Sequence, residues 1–142
     1  MTFSILKLIS YSETMKLMII GLGGFLGAIM RYSLSGLAQN YAIKVSSTLF
    51  PVGTLFVNIV GCLLLGFFSS LLLERQVNPD YRFLINIGFL GAFTTFSTFS
   101  LETLQLIENK QYLQGLLNIL ISCIIGLYAI WQGKALYKLI WG

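Results

Sequence analysis

Charged side chains leave four long apolar runs untouched, at residues 17–30, 45–73, 83–101 and 111–133. Three of the four exceed the ~18 residues that a helix rising ~1.5 Å per residue needs to cross a ~30 Å hydrocarbon core. The first reaches that length once Arg31 is accepted inside it, because Tyr32 to Ala38 continue the run. The pattern predicts four transmembrane helices, at about 17–38, 49–73, 83–107 and 111–134, in a single domain covering 17–142. A polar stretch at 39–48 and the turn signal Asn78-Pro79-Asp80 separate them. Pro51 opens the second helix, where a first-turn proline loses no hydrogen bond. Residues 1–16 hold an apolar patch (Phe3, Ile5, Leu6, Leu8, Ile9) interrupted by Lys7 and too short to span. The long apolar run starts only after Lys16 and no signal-peptide cleavage site follows it, while Met15 is an alternative start. This segment reads as a dispensable extension, with a weak interfacial helix as the other reading.

Composition agrees with the pattern. Of 142 residues 56% are hydrophobic and 10% charged, against roughly 25% charged in soluble domains. The expected class is an all-α membrane protein, multi-pass in the cell membrane, with the lipid bilayer as its solvent. The net charge of +4 comes from nine basic residues spread singly, so no patch for nucleic acid forms. The chain has no His, and Glu13, Glu74, Asp80, Glu102 and Glu108 lie in loops or toward segment ends. Neither a nucleophile–base pair nor a metal-ligand cluster can be assembled from these, which argues against an enzyme. Cys62 and Cys123 fall mid-segment and read as small hydrophobes rather than a disulfide.

One stretch does not fit an ordinary lipid-facing helix. From Gly88 to Ser100, five hydroxyls (Thr94, Thr95, Ser97, Thr98, Ser100) interleave with Phe93, Phe96 and Phe99, just after Gly88 and Gly91. Polar groups and irregular backbone survive at membrane depth only where protein or a water-filled cavity covers them. The third helix is therefore expected to break mid-membrane, where freed carbonyls can hold a cation. In the second helix Thr54 and Asn58 share a face at i, i+4 and Gly61 follows on the same side. That stripe is either an interhelical hydrogen-bond maker or the lining of a polar path, and its donors are neutral. Gly23 and Gly27 form a GxxxG pair suited to close helix packing. Arg31 either draws anions into a vestibule or snorkels to the interface.

Taken together, Gly23-Gly24-x-x-Gly27-Ala28-x-x-Arg31-Tyr32, Gly53-Thr54-x-x-Val57-Asn58-x-x-Gly61 and Gly91-x-x-Thr94-Thr95-Phe96-Ser97-Thr98-Phe99 resemble the signatures of the Fluc/CrcB fluoride channels. The likeness runs in order over nearly everything after Met15. It implies an antiparallel, dual-topology dimer with two fluoride pores and a structural sodium ion on its central axis that is not transported. By matching positions, Phe96 and Phe99 are the pore phenylalanines, whose positive ring edges face fluoride. Asn58 and Thr54 fall on second-helix pore positions, Ser122 on a fourth-helix polar position, and Thr95 joins them. Gly91 and Thr94 would offer backbone carbonyls to sodium, and Arg31 matches the first-helix arginine. The chain departs from the family at Asn118, where a tyrosine is common, and at Ala92, where a glycine is usual.

The implied function is passive export of cytoplasmic fluoride, which lowers fluoride toxicity. A negative-inside potential favours anion exit by roughly 2.3 kcal/mol per charge per 100 mV. The alternative is a small proton-coupled exporter of the four-helix dimer type, though such a machine wants a titratable carboxylate near mid-membrane. A noncatalytic scaffold is a third reading. Charge counting bears on topology: Lys7, Lys16, Arg75, Arg82, Lys134 and Lys138 share one side, against Lys44, Lys110 and Arg31 at most on the other. So shallow a bias permits both orientations in a homodimer, and a paired paralogue is the other arrangement.

Overall fold

The computed structural model describes residues 11–46 and 49–142, and the apolar patch of residues 3–9 lies outside them. Helix α1 runs Tyr11–Ser46 and α2 runs Val52–Glu74. Residues 79–93 form α3, built from Pro79–Tyr81, a π-helical run Arg82–Leu90 and a last turn Gly91–Phe93. After a break, α4 is Phe96–Glu108 and α5 is Tyr112–Trp141. Four stretches among the described residues are long and apolar enough to cross a membrane: Glu13–Ser46, Val52–Glu74, Pro79–Glu108 and Tyr112–Trp141. The described chain is all-helical, and its third span is the interrupted one.

Helix α1 is longer at both ends than its apolar run. At its start Lys16 pairs with Glu13 at 2.6 Å and lies over the Phe83 ring, 5.7 Å from the centroid. Beyond Ala38 the polar stretch stays helical to Ser46, because it contains no glycine or proline to stop it and its side chains find partners. Gln39 donates from Nε2 to the Phe50 carbonyl at 3.2 Å and accepts from the Gly53 amide at 3.0 Å. That second bond satisfies one of the donors every helix leaves unpaired in its first turn. The entry to α3 is capped as the turn signal requires: Asn78 Oδ1 accepts from the Asp80 amide at 2.9 Å, with Pro79 in the first turn.

Inside lipid the hydrophobic effect does not drive helices together, so close packing over small residues has to do so. α1 lies along α3 and α2 along α5. A Cβ on Gly23 would strike the Leu84 carbonyl, one on Gly27 the Phe89 carbonyl, and one on Gly88 would sit 2.7 Å from the Ile20 carbonyl. The α2–α5 pair repeats the device, with Gly66 against the Ile130 carbonyl and Gly133 against the Leu63 carbonyl. The fully buried side chains Val57, Leu90 and Phe93 fill the space between these seams. Leu22, Phe25, Leu127 and Leu139 are among the many apolar side chains left on the outside, as a hydrocarbon solvent allows.

The seams predict a contrast. Gly27→Leu should push α1 off α3 and lower the thermal stability of detergent-purified protein by about 3 kcal/mol or more, at the upper end of overpacking costs. Gly36→Ala, which meets nothing within 4 Å, should leave the melting curve where it is.

Candidate functional site

At Thr94 and Thr95 the backbone leaves the helix, with φ/ψ of −85°/158° and −150°/120°. Two side chains take over what the helix ladder gives up. Asn58 on α2 grips the Thr95 residue from both sides, accepting from its amide at 2.8 Å and donating Nδ2 to its carbonyl at 3.0 Å. The Thr95 hydroxyl caps α4 by accepting from the Thr98 amide at 3.2 Å, and donates to Thr98 Oγ1 at 2.9 Å. Thr94 turns back, its hydroxyl donating to the Leu90 carbonyl at 3.0 Å. Gly61, one turn beyond Asn58, makes the approach possible: a Cβ there would collide with Thr94 Cγ2.

These bonds also determine which carbonyls are released. In an unbroken helix the Thr95 amide would donate to Gly91 and the Thr98 amide to Thr94. Here the first goes to Asn58 and the second to the Thr95 hydroxyl, so Gly91 and Thr94 both lose their ordinary donor. Gly91 is exposed, and a Cβ built on it would meet nothing closer than the Asn86 carbonyl at 3.7 Å. The break thus leaves two carbonyl oxygens with unfilled acceptor capacity, one of them on an exposed residue.

Beside the break lies a cavity of about 280 Å³ whose wall includes Asn58, Thr95, Phe96, Phe99, Ser122 and Cys123. With Thr94, which also lines it, the structure thus collects six of the site residues singled out from sequence onto one surface. The rings of Phe96 and Phe99 sit 5.7 Å apart at 43°, and Phe96 is 79% exposed. Ser122 Oγ is buried and has no hydrogen-bond partner among the described residues. Of the two N–H groups on Asn58 only one is engaged with Thr95, so the wall presents a spare amide donor and a spare hydroxyl. Every lining group is uncharged. Neutral donors and ring edges can receive a small anion without holding it as a cation would.

Thr54 and Arg31 are placed elsewhere. Both line a second cavity of about 220 Å³ with Tyr32, Ser35 and Thr98, which meets the first at Thr95. Thr54 is buried and donates to Glu102 Oε1 at 2.8 Å, while Glu102 Oε2 is buried without a partner among the described residues. From sequence Glu102 reads only as a segment-end carboxylate; no local signal links positions 48 residues apart. Asn118 is 1% exposed and donates to Thr103 Oγ1 at 2.8 Å, which itself donates to the Phe99 carbonyl at 2.7 Å. It buttresses the helix that carries Phe99 rather than lining the cavity with Ser122. Cys62 and Cys123 are both free thiols on the cavity wall.

An interrupted helix held by neighbouring side chains, within four spans, defines a multi-pass membrane protein of the small polytopic kind that builds a polar site at a helix break. Residues 18–134 match the family described as CrcB-like protein, Camphor Resistance (CrcB), and the chain belongs to that family. It is 42% identical over 123 residues to the fluoride-specific ion channel FluC of a Nitratiruptor species, covering 87% of this chain and 92% of that protein. With FluC 1 of Methanosarcina acetivorans, also described as a fluoride-specific ion channel, identity is 43% over 119 residues, 83% of this chain and 87% of the relative. The FluC protein of Hahella chejuensis shares 46% over 125 residues, 87% and 95% of the two chains.

The brace at the break can be tested by stability alone. Asn58→Leu should strand the Thr95 amide and carbonyl, destabilising the folded protein by about 1 to 3 kcal/mol, the usual cost of a buried unsatisfied group. Thermal melts in detergent would measure it. Thr95→Ser, which retains the capping oxygen, should melt within about 1 kcal/mol of wild type.

Proposed function

We propose that the chain is a fluoride channel that lets cytoplasmic fluoride leave passively and so lowers fluoride toxicity, and that it is not an enzyme. The observation that carries this reading is the uncharged cavity at the helix break. There Phe96 and Phe99 stand beside an unpartnered Ser122 hydroxyl and a spare Asn58 N–H. Relatives described as fluoride-specific channels supply the ion; the geometry supplies a reason for it, since these donors are weak, neutral and close together. Thr95 holds the break, and Thr54 with Arg31 forms the polar approach on the far side of it. Arg31 makes no ion pair among the described residues, which leaves its charge available to attract an anion.

The same reading includes an antiparallel dimer of dual topology. One chain leaves Phe96 largely exposed and the Gly91 face open, and a two-fold partner would cover both. The released Gly91 and Thr94 carbonyls of two chains would then hold one structural sodium ion. Its charge would lock the two breaks together, while its oxygen ligands fix it in place. The proton-coupled alternative has one foothold, the half-buried Glu102, but this carboxylate is bonded to Thr54 and lies outside the Phe96–Phe99 cavity.

Purified protein in liposomes tests the proposal. Fluoride efflux should be electrogenic and indifferent to a pH gradient; efflux driven by that gradient would replace the channel with the exporter. Phe96→Ile and Phe99→Ile should each cut flux by about tenfold or more, because the positive ring edge is lost while apolar bulk remains. Wild-type flux in both would sink the assignment.

A second measurement addresses the cation. Exhaustive replacement of Na⁺ by a large organic cation should abolish fluoride conduction and lower the dimer's melting temperature, with no Na⁺ flux at any stage. Undiminished current and an unchanged melt after sodium removal would rule the carbonyl site out.

A further inference from the structure

A larger cavity lies far from the helix break. It has a volume of about 520 Å³ and sits between the C-terminal ends of α2 and α5, where Ser69, Ser70 and Leu73 face Trp131, Lys134 and Lys138. The sequence explains why these groups converge. Trp131, Lys134 and Lys138 are spaced i, i+3 and i+7 on α5 and so share a face, and Ser69, Ser70 and Leu73 lie within about one turn of α2. Both helices end on the same side of the four-span bundle, because α2 and α5 are parallel members of an up-down-up-down order. That side also carries Arg75 and Arg82, the more basic of the two.

We propose that this cavity binds the headgroup of an anionic phospholipid. Two lysines in one pocket provide point charges for a phosphate, and the Ser69 and Ser70 hydroxyls on the facing helix supply neutral donors. Glu74 also lines the pocket, yet neither lysine is paired with it or with any other carboxylate among the described residues. The charge of the pocket therefore remains net positive. Its apolar part has a matching purpose: Trp131 is 62% exposed and Leu73 78%, placing an indole and an aliphatic side chain where a glycerol backbone gives way to acyl chains. Tryptophan at that level is the usual interfacial anchor. Basic pockets between membrane helices recognise anionic headgroups by this combination of charge and a hydrocarbon-facing wall.

The setting favours a lipid over a free anion. Trp131 and Leu73, both largely exposed, line the pocket beside the two lysines, so a molecule with both a phosphate and chains satisfies more of its wall than inorganic phosphate does. In the antiparallel dimer proposed above the two pockets would open to opposite leaflets, giving one lipid on each side. The assignment itself does not depend on conduction, since none of its residues line the cavity at the break.

Trp131 and Trp141 are the chain's two tryptophans, so Trp141→Phe isolates a reporter inside the pocket. The full-length protein carrying that change would be reconstituted in phosphatidylcholine vesicles containing increasing amounts of brominated phosphatidylglycerol, and Trp131 quenching recorded. Quenching should saturate at a much lower mole fraction than with brominated phosphatidylcholine. With both lysines neutralised (Lys134→Gln with Lys138→Gln), apparent affinity should fall about thirtyfold, so that the two lipids become indistinguishable. Arg82→Gln, which removes a charge from the neighbouring cavity, should leave the curve unchanged. Equal quenching by the two lipids in the reporter protein would overturn the proposal, as would an unaltered curve in the double lysine variant. Reversal by millimolar inorganic phosphate would identify a small-anion site instead and overturn the lipid assignment.

Discussion

Two hydrogen bonds from one side chain to the backbone of one residue hold the molecule's irregular point together. Asn58 accepts from the Thr95 amide and donates to the Thr95 carbonyl, so both peptide groups of the residue at the centre of the break are satisfied without water. In a hydrocarbon setting an unpaired peptide group costs several kcal/mol, enough to make an uncovered break untenable. Once the break exists, its consequences are local and determinate. The Thr95 hydroxyl starts a new helix at Phe96, and the first turn of that helix carries both rings of the cavity. Positioning of Phe96 and Phe99 thus runs through Asn58, by way of the backbone it holds.

Asn58 can do this only because α2 is itself fixed. Its far half is seated on α5 through Gly66 and Gly133, and its first turn is held to α1 by Gln39. Between those anchors Gly61 removes the one side chain that would keep Thr94 at a distance. Small residues therefore serve two purposes here: they bring backbones together where lipid provides no hydrophobic drive, and they bring a broken backbone within reach of an amide. Asn118 and Thr103 add a third support, pinning α4 to α5 just beyond Phe99.

Much of this is legible in the amino-acid sequence, for reasons that differ by element. Run lengths determine the number of spans because bilayer thickness is a hard constraint, and the hydroxyl-rich stretch from Gly88 to Ser100 marks the interrupted one. The residues at the break are not legible individually. Thr94, Thr95, Ser97 and Thr98 are all competent helix caps, and only the reach of Asn58 selects Thr95. Helix ends are misplaced where polarity is equated with loop, since Gln39 and Lys44 extend α1 instead of ending it. The π-helical run Arg82–Leu90 is not signalled by any proline within it, and it lies where α3 packs closely against Gly23 and Gly27. Nor can pairings across the bundle such as Thr54 with Glu102, or Asn118 with Thr103, be seen in local spacing.

The distribution of charge around the break follows from the same constraint. Arg31 lines a cavity that meets the one beside the rings at Thr95, Glu102 accepts from Thr54 and lines a separate cavity, and the wall beside the rings is itself uncharged. A full charge among the rings would have to be desolvated by several kcal/mol and would then hold a counter-ion too tightly to release it. Dipoles avoid both difficulties but give less attraction each, so several must converge. The wall beside Phe96 carries an Asn58 N–H, the Ser122 hydroxyl and two phenylalanine rings, and Asn58 keeps that one N–H in hand while its other N–H and its oxygen hold the Thr95 backbone. In the proposed channel, structural support and ion contact would meet in Asn58, which ties the tolerance of this site to substitution directly to the stability of the break.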